Sequence, residues 1–431
     1  MPKQPKTMQR STATLHLDNM TYRMKKIALT AFFSLTIAHS VTIAQGTWVQ
    51  KTSLLGPART FAIAFSINGF GYVGLGMTGL GNPSFNDFWQ YNPTSDSWTQ
   101  MANFGGGVKA GAVSFVIANY GYVATGTGPS GPQPDVWQYD PSSNSWTQKN
   151  NFPGYCGSYA SSFSIGPNGY FGGSLLSTKA DFWSYNSTLD SWTIKDSIIG
   201  GRGLAIGFSL NGYGYIGTGQ GLSTYYNDLW KYDPTINQWT QMASMPASGR
   251  AESFCFTIGN RAYVGTGTPW VGSTSLADVW EYNPSNNTWT QQANFGGGQK
   301  EAAIGFSIAC KGYVFGGFCG DNSCGSPTNE LWEFTPDTCY TESVFETNFA
   351  YALTLSPNPF STQTTLRTDR FFKNASLTVY NSFGQTVKCI DNLTGQTITL
   401  TRDNLPSGQY FVRLTQDNKV LAADKLVITD K

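Results

Sequence analysis

The most constraining feature of this chain is a phrase that it writes six times. Residues 87–100 read DFWQYNPTSDSWTQ. Close copies follow as DVWQYDPSSNSWTQ from 135, DFWSYNSTLDSWT from 181, DLWKYDPTINQWTQ from 228 and DVWEYNPSNNTWTQ from 278, with a shorter one, ELWEFTPDT, from 330. The first Trp of each copy stands at 89, 137, 183, 230, 280 and 332, a spacing of 46 to 52 residues. The second Trp of the five full copies (98, 146, 192, 239 and 289) always follows nine residues later. A repeat of this length marks a supersecondary unit that buries its faces against copies of itself.

Each unit breaks into four strand-like pieces, as in AESFCFTIG, RAYVGTG, DVWEYNP and NTWTQQ of the fifth. Asn-Gly, Gly-Asn or Lys-Gly follows the first piece in most copies, and Asn-Pro or Asp-Pro closes most copies of the third. Proline there is preset for the second position of a type I turn. A third-to-fourth hairpin of constant length explains the invariant Trp spacing, because turn length sets register. Polar and apolar residues do not alternate strictly. Trp89 and Tyr91 share one strand face, yet Phe88 on the other is apolar too, as in strands buried on both faces. A four-stranded sheet covered on both sides by its own copies is a propeller blade. The composition agrees: 12% charged, 15% aromatic and 48 Gly suit short strands and tight turns.

The ends of the repeat region predict how the ring closes. Copy six has three strands, at about 301–335, and no Trp strand, whereas GTWVQKT at 46–52 is a Trp strand with nothing before it. Trp48 lies 50 residues before Trp98, in phase with the rest. The expectation is an all-β chain in which residues 46–336 form a six-bladed propeller, closed by the strand at 46–52 so that no edge is left open. A buried Trp or Tyr removes roughly 150–250 Å² from water, worth at most about 4–6 kcal/mol. Twelve of the thirteen Trp are therefore read as cohesion between blades.

With the Gly positions added, the repeats resemble kelch repeats. These positions are Gly74/Gly76, Gly126/Gly128, Gly172/Gly173, Gly217/Gly219, Gly265/Gly267 and Gly316/Gly317; the family's adjacent pair survives only in copies three and six. The resemblance covers 46–336. It implies a propeller, and it brings two enzyme types into view: copper oxidases resembling galactose oxidase, and sialic-acid mutarotases.

Residues 24–44, MKKIALTAFFSLTIAHSVTIA, read as a secretory signal peptide, with Lys25 and Lys26 ahead of an apolar run and Thr42-Ile43-Ala44 for cleavage. Residues 1–23 read as an upstream extension from an early start. No stable membrane span is expected after processing. The segment 1–44 holds six of the 27 basic residues and one of the 26 acidic ones, leaving 21 basic against 25 acidic residues beyond it. That balance excludes the basic footprint of a nucleic-acid binder. Both histidines, His16 and His39, fall in the same segment. Without them Ser-His-Asp and Cys-His catalysis is excluded, as are His-ligated metal sites. The oxidase analogy fails on this point, and neither cofactor nor metal is expected.

Let the strands of a blade be a to d. The b–c loops vary in length and sequence, and variable loops on a rigid scaffold are where binding resides. Trp270, the thirteenth Trp, lies in one of them; Tyr225, Tyr226 and Phe85 lie in others. Exposed aromatics there suit a sugar ring or a protein partner, and local loop packing is the competing reading. A cation precedes strand a in five blades: Arg59, Lys109, Arg202, Arg250 and Lys300, with Gly157 near that place in blade three. Each can pair with the acid that opens a strand c (Asp87, Asp135, Asp181, Asp228, Asp278 or Glu330), or the set can ring the channel mouth and attract an anion. A mutarotase-like activity would use Arg59, Arg202, Arg250, Glu252 and Glu301. Asp321 and Asn322 are too few for a Ca²⁺ site. Disulfides are permitted in an exported chain. Cys319 and Cys324 share one loop, and Cys310 and Cys339 fall at the same end of blade six.

After a linker at 337–351 the Trp vanish, and strand-like runs such as SLTVYNS and QYFVRLTQ predict a small β-sandwich over 352–431. This tail resembles the C-terminal sorting domain of type IX secretion cargo from Bacteroidetes-type bacteria. It carries Pro357-Asn358-Pro359, LTVYNSFGQTV at 377–387, LPSGQYFVRL at 405–414 and KLVI at 425–428, though Leu355-Ser356 stands where an aromatic is often found. The resemblance implies type IX machinery as a partner and a secreted or outer-surface location. The whole predicts a binding module for glycan or protein, with a mutarotase-like enzyme or a plain scaffold as alternatives.

Overall fold

The structure is a computed structural model. It describes residues 46–79, 85–154, 158–173, 181–197, 200–319, 326–337, 351–381, 386–416 and 419–430. Residues 1–45, expected to include the signal peptide, therefore lie outside the described residues, as do Cys324, Cys339, Gly157, Asp321, Asn322 and residues 338–350. Among the described residues every regular element is a strand, and no helix among them is long and apolar enough to cross a membrane.

Six four-stranded antiparallel sheets take up the repeats. In the fifth, Phe254–Ile258, Arg261–Gly265, Val279–Asn283 and Thr288–Gln292 lie side by side in chain order. The a strands of neighbouring sheets pack on one another. Their ring closes because Ile63–Ile67 meets both Val113–Ile117 and Ile304–Ile308. The sixth sheet takes its outer strand from the other end of the chain: Thr47–Lys51 pairs with Leu331–Thr335, setting Gln50 opposite Trp332 and Trp48 opposite Phe334.

The repeated phrase is a set of joints between blades. The indole N–H of each strand-d Trp donates to a carbonyl just past strand d of the preceding blade. Trp98 reaches Thr52 at 2.8 Å, Trp146 Ala102 at 3.1 Å, Trp192 Asn150 at 3.0 Å, Trp239 Asp196 at 2.9 Å and Trp289 Ala243 at 2.8 Å. Trp48 completes the circle on Ala293 at 3.3 Å. The Asp or Asn of the c–d turn joins three segments. Asn237 sits at φ 52°, a conformation that Asn tolerates. Its Oδ1 accepts the Tyr232 hydroxyl at 2.7 Å and the Asp196 amide of the preceding blade at 3.2 Å.

Towards the axis the blades converge, and their inner residues must be small. A Cβ on Gly207 would come within 2.6 Å of the Ser162 carbonyl oxygen, and one on Gly169 within 2.2 Å of the Phe115 ring of the preceding blade. Where there is room, a hydroxyl bridges instead: Ser114 donates to the Ala64 carbonyl at 3.1 Å and Ser162 to that of Ser114 at 2.9 Å. Cys255 donates similarly to Gly207 at 3.3 Å, and burial pushes its thiol up to about 11. Cys310 and Cys319 are each disulfide-bonded; Cys255 and Cys389 are free.

The tail forms a separate five-stranded sheet from Leu353–Ser356, Gln363–Asn381, Thr386–Thr401, Gly408–Gln416 and Lys419–Ile428. Register shifts between Arg367 and Tyr380 break up the long second strand. The sheet encloses a core that includes Leu366, Leu377, Leu400, Val412 and Leu426.

Candidate functional site

The b–c loops and the d–a connections share one end of the propeller, and there the structure separates the sequence candidates by role. Arg59 donates from Nη1 and Nη2 to the two carboxylate oxygens of Asp87, at 2.6 and 2.7 Å. It also donates to the carbonyls of Leu75 and Pro57, each at 3.0 Å. Four of its five N–H groups are thereby used. Arg202 holds Asp228 at 2.5 and 2.9 Å, and Arg250 holds Asp278 at 2.6 and 2.8 Å. Lys109 pairs with Asp135, and Lys300 with Glu330 at 3.4 Å. All five cations are 0–3% exposed. This arrangement matches the ion-pair alternative for these residues, since a buried cation beside a fixed carboxylate has little field left to draw an anion in. Burial alone would raise the Asp87 carboxyl, but Arg59 and the Trp89 indole overcome it and hold the group below its ordinary value; Asp278 is held down in the same way by Arg250 and Trp280.

Two aromatic candidates belong to these ion pairs. Phe85 covers the Arg59 guanidinium at 4.7 Å and Tyr226 covers that of Arg202 at 4.1 Å, so both are packing residues. In blade three Asp181 has no cation partner among the described residues. The Trp183 indole N–H, whose counterparts in the other five blades donate to the acid, is buried without a partner.

At the channel mouth the backbone forms a closed circle that sequence reasoning missed. Two residues before each a strand stand Phe61, Gly111, Tyr159, Leu204, Glu252 and Ala302, all at φ between 51° and 65°. Each amide donates to the equivalent carbonyl of the preceding blade, from Phe61 to Ala302 at 3.2 Å round to Gly111 to Phe61 at 3.1 Å. With these amides engaged, the circle offers a ligand no backbone donor of its own. The Tyr159 ring lies where a Cβ on Gly111 would be, 2.6 Å from it, and meets Phe61 edge-on at 4.8 Å. The only sequence signal was the position just ahead of strand a, filled by six different residues.

Glu252 is the charged member of that circle. Burial, and then the neighbouring charge of Glu301, push its carboxyl up to about 8. Burial raises Glu301 also, although Ser275 donates to it at 3.1 Å. Tyr225, in the blade-four loop, stands close to both acids and to the Val271 backbone. Its hydroxyl is buried and in hydrogen-bonding geometry with none of them.

Trp270 is 62% exposed and Val271 79%. The loop beneath them is tied down: the Trp270 carbonyl accepts the hydroxyls of Thr268 and Ser273, both at 2.8 Å, and the Ser273 amide at 3.1 Å. A pinned backbone with its indole in solvent is the opposite of local loop packing. Leu222, at the tip of the adjacent blade-four loop, is 88% exposed. Among the described residues no group of three or more His, Cys, Asp or Glu could hold a metal.

Comparison with known proteins agrees with this architecture. A model described as the secretion system C-terminal sorting domain matches residues 354–429, and a Kelch motif matches 213–246. Among solved structures, that titled "Structure of YjhT" superposes with a TM-score of 0.54 at 16% identity, over 64% of this chain and 94% of that one. No curated protein matches the chain. The chain is an all-β, kelch-type propeller with a secretion sorting domain behind it. The tail marks it for export by type IX secretion.

Proposed function

We propose that the protein is an exported binding module that takes its ligand, a glycan or a protein, where the b–c loops of blades four and five meet the channel mouth. The observation that carries this reading is Trp270, held in solvent by a loop pinned beneath it, the same loop whose Ser275 donates to the Glu301 carboxylate. An aromatic face next to hydrogen-bond acceptors suits a sugar ring or a protein side chain equally. In this reading residues 24–44 lead the chain across the inner membrane, 352–431 carry it through the outer one, and the propeller of 46–336 works outside the cell. A mutarotase-like enzyme has less in its favour, because Arg59, Arg202 and Arg250 are engaged in ion pairs.

The test is a screen of glycan and peptide arrays with the full chain and its Trp270→Ala variant. The variant is expected to lose at least about tenfold in binding with an unchanged melting profile. Binding that ignores Trp270→Ala removes the loop end from consideration. Silence on both arrays favours a scaffold that holds no small ligand.

A further inference from the structure

We infer that the corner between the blade-four and blade-five loops docks a polypeptide through a lysine or arginine flanked by apolar residues. The cation meets Glu252 and Glu301 while its neighbours cover Leu222, Trp270 and Val271. The inference rests on the loop-end reading above and narrows its ligand to a basic, apolar segment of protein.

The Trp270 loop is tied to both acids: Ser275 donates to the Glu301 carboxylate at 3.1 Å, and the Thr268 backbone pairs with that of Ala251, next to Glu252. Thr268 stands by Glu301 and holds the Trp270 carbonyl. Leu222 rides on the turn closed by Gly221 and Thr224, one residue before Tyr225. Trp270 and Val271 are adjacent and more than half exposed, and Leu222 on the loop of the neighbouring blade is exposed as well, three large apolar side chains left for a partner to cover.

Charge selects among the occupants. The basic residues that lead into strands a of blades five and six, Arg250 and Lys300, are committed to Asp278 and Glu330. Among the described residues no cation forms an ion pair with Glu252 or Glu301. The engaged amides of the mouth offer no positive dipole in their place. An anionic ligand would be repelled. A neutral sugar could stack on Trp270 but would leave the single negative charge that Glu252 and Glu301 share near neutral pH without a counter-charge. A lysine or arginine supplies that charge, and its aliphatic stem can lie along the Trp270 ring. Apolar residues on either side of it then bury Leu222 and Val271.

A phage library of random seven-residue peptides panned against the full chain tests the inference. The enriched sequences are expected to carry Lys or Arg next to Leu, Ile, Val, Phe or Trp. Synthetic versions should bind at least about tenfold more weakly when the base becomes Gln, when Glu252→Gln and Glu301→Gln are combined, and when Trp270→Ala is introduced. Trp270 is exposed, so its variant reports on binding even if the glutamate pair proves necessary for folding, which a thermal melt reveals. Peptides that depend on Trp270 but lack a base overturn this inference and leave the loop-end reading standing. Peptides indifferent to Trp270 overturn both. A library with no enriched sequence, alongside glycan binding that requires Trp270, also overturns the polypeptide assignment.

Discussion

At the end of the propeller where the strands are joined by short turns, one joint recurs with little change: Tyr232 to Asn237, Tyr139 to Asn144, Tyr91 to Asp96. At the loop end five blades share an ion pair, and above it they diverge. One channel-mouth position holds Phe61, Gly111, Tyr159, Leu204, Glu252 and Ala302 in turn. The turn end is under a single constraint, since each blade must dock on the next with the same geometry. At the loop end the backbone circle and the ion pairs meet that constraint, and the side chains above them are released from it. The same division separates the twelve repeat Trp from Trp270: the indole N–H of Trp98 is spent on its neighbour's carbonyl, whereas the ring of Trp270 stands in water.

The comparison can be broken by substitution. Trp98→Ala removes a buried ring and an inter-blade hydrogen bond together; it should cost about 4 kcal/mol in denaturant unfolding. Asp228→Ala strands the buried Arg202 guanidinium and should cost about 3 kcal/mol. Asp181→Ala, in the blade without an ion pair among the described residues, should stay within about 0.5 kcal/mol. Equal losses for these two would mean that the ion pairs are not what holds the loop end.

Acidity at the mouth gives a subtler test. The Glu252 carboxyl titrates near 8 in the fold against an ordinary value of 4.5. Between these values the folded chain keeps a proton that the unfolded chain releases. Stability should therefore fall as pH rises from about 4.5 to 8, by up to about 1.4 kcal/mol per unit, and Glu252→Gln should flatten the decline. Tyr232→Phe deletes one hydroxyl at a turn-end joint and should cost about 1 kcal/mol. Trp270→Ala should change the melting temperature least of all, its cost staying within about 0.5 kcal/mol. A larger loss would place that indole among the structural Trp.

Much of this was legible in the chain. The nine-residue Trp spacing marked the hairpin register that sets Tyr232 opposite Trp239, and the phase of Trp48 pointed to its pairing with Leu331–Thr335. The ion pairs were one of two readings because a basic residue and an acid 26 to 30 positions apart recur in step. The roles of Phe85 and Tyr226 were not legible, because an aromatic in a loop looks the same in sequence whether it covers a guanidinium or faces water. The Glu252–Glu301 pair drew attention only as an accessory to arginines that are engaged elsewhere.

The sequence by itself determined the repeat, the strand pattern, the closing strand and the sorting tail, because each rests on local periodicity or on a short run of residues. Only the tertiary structure decided which charges cancel and which remain. Arg250 and Glu252 are two residues apart, yet one is neutralised by Asp278, 28 positions on, and the other is raised by burial and then by Glu301, 49 positions on in the next blade. Electrostatic energy depends on distance and burial in the folded ring, and neither is written in the order of the residues.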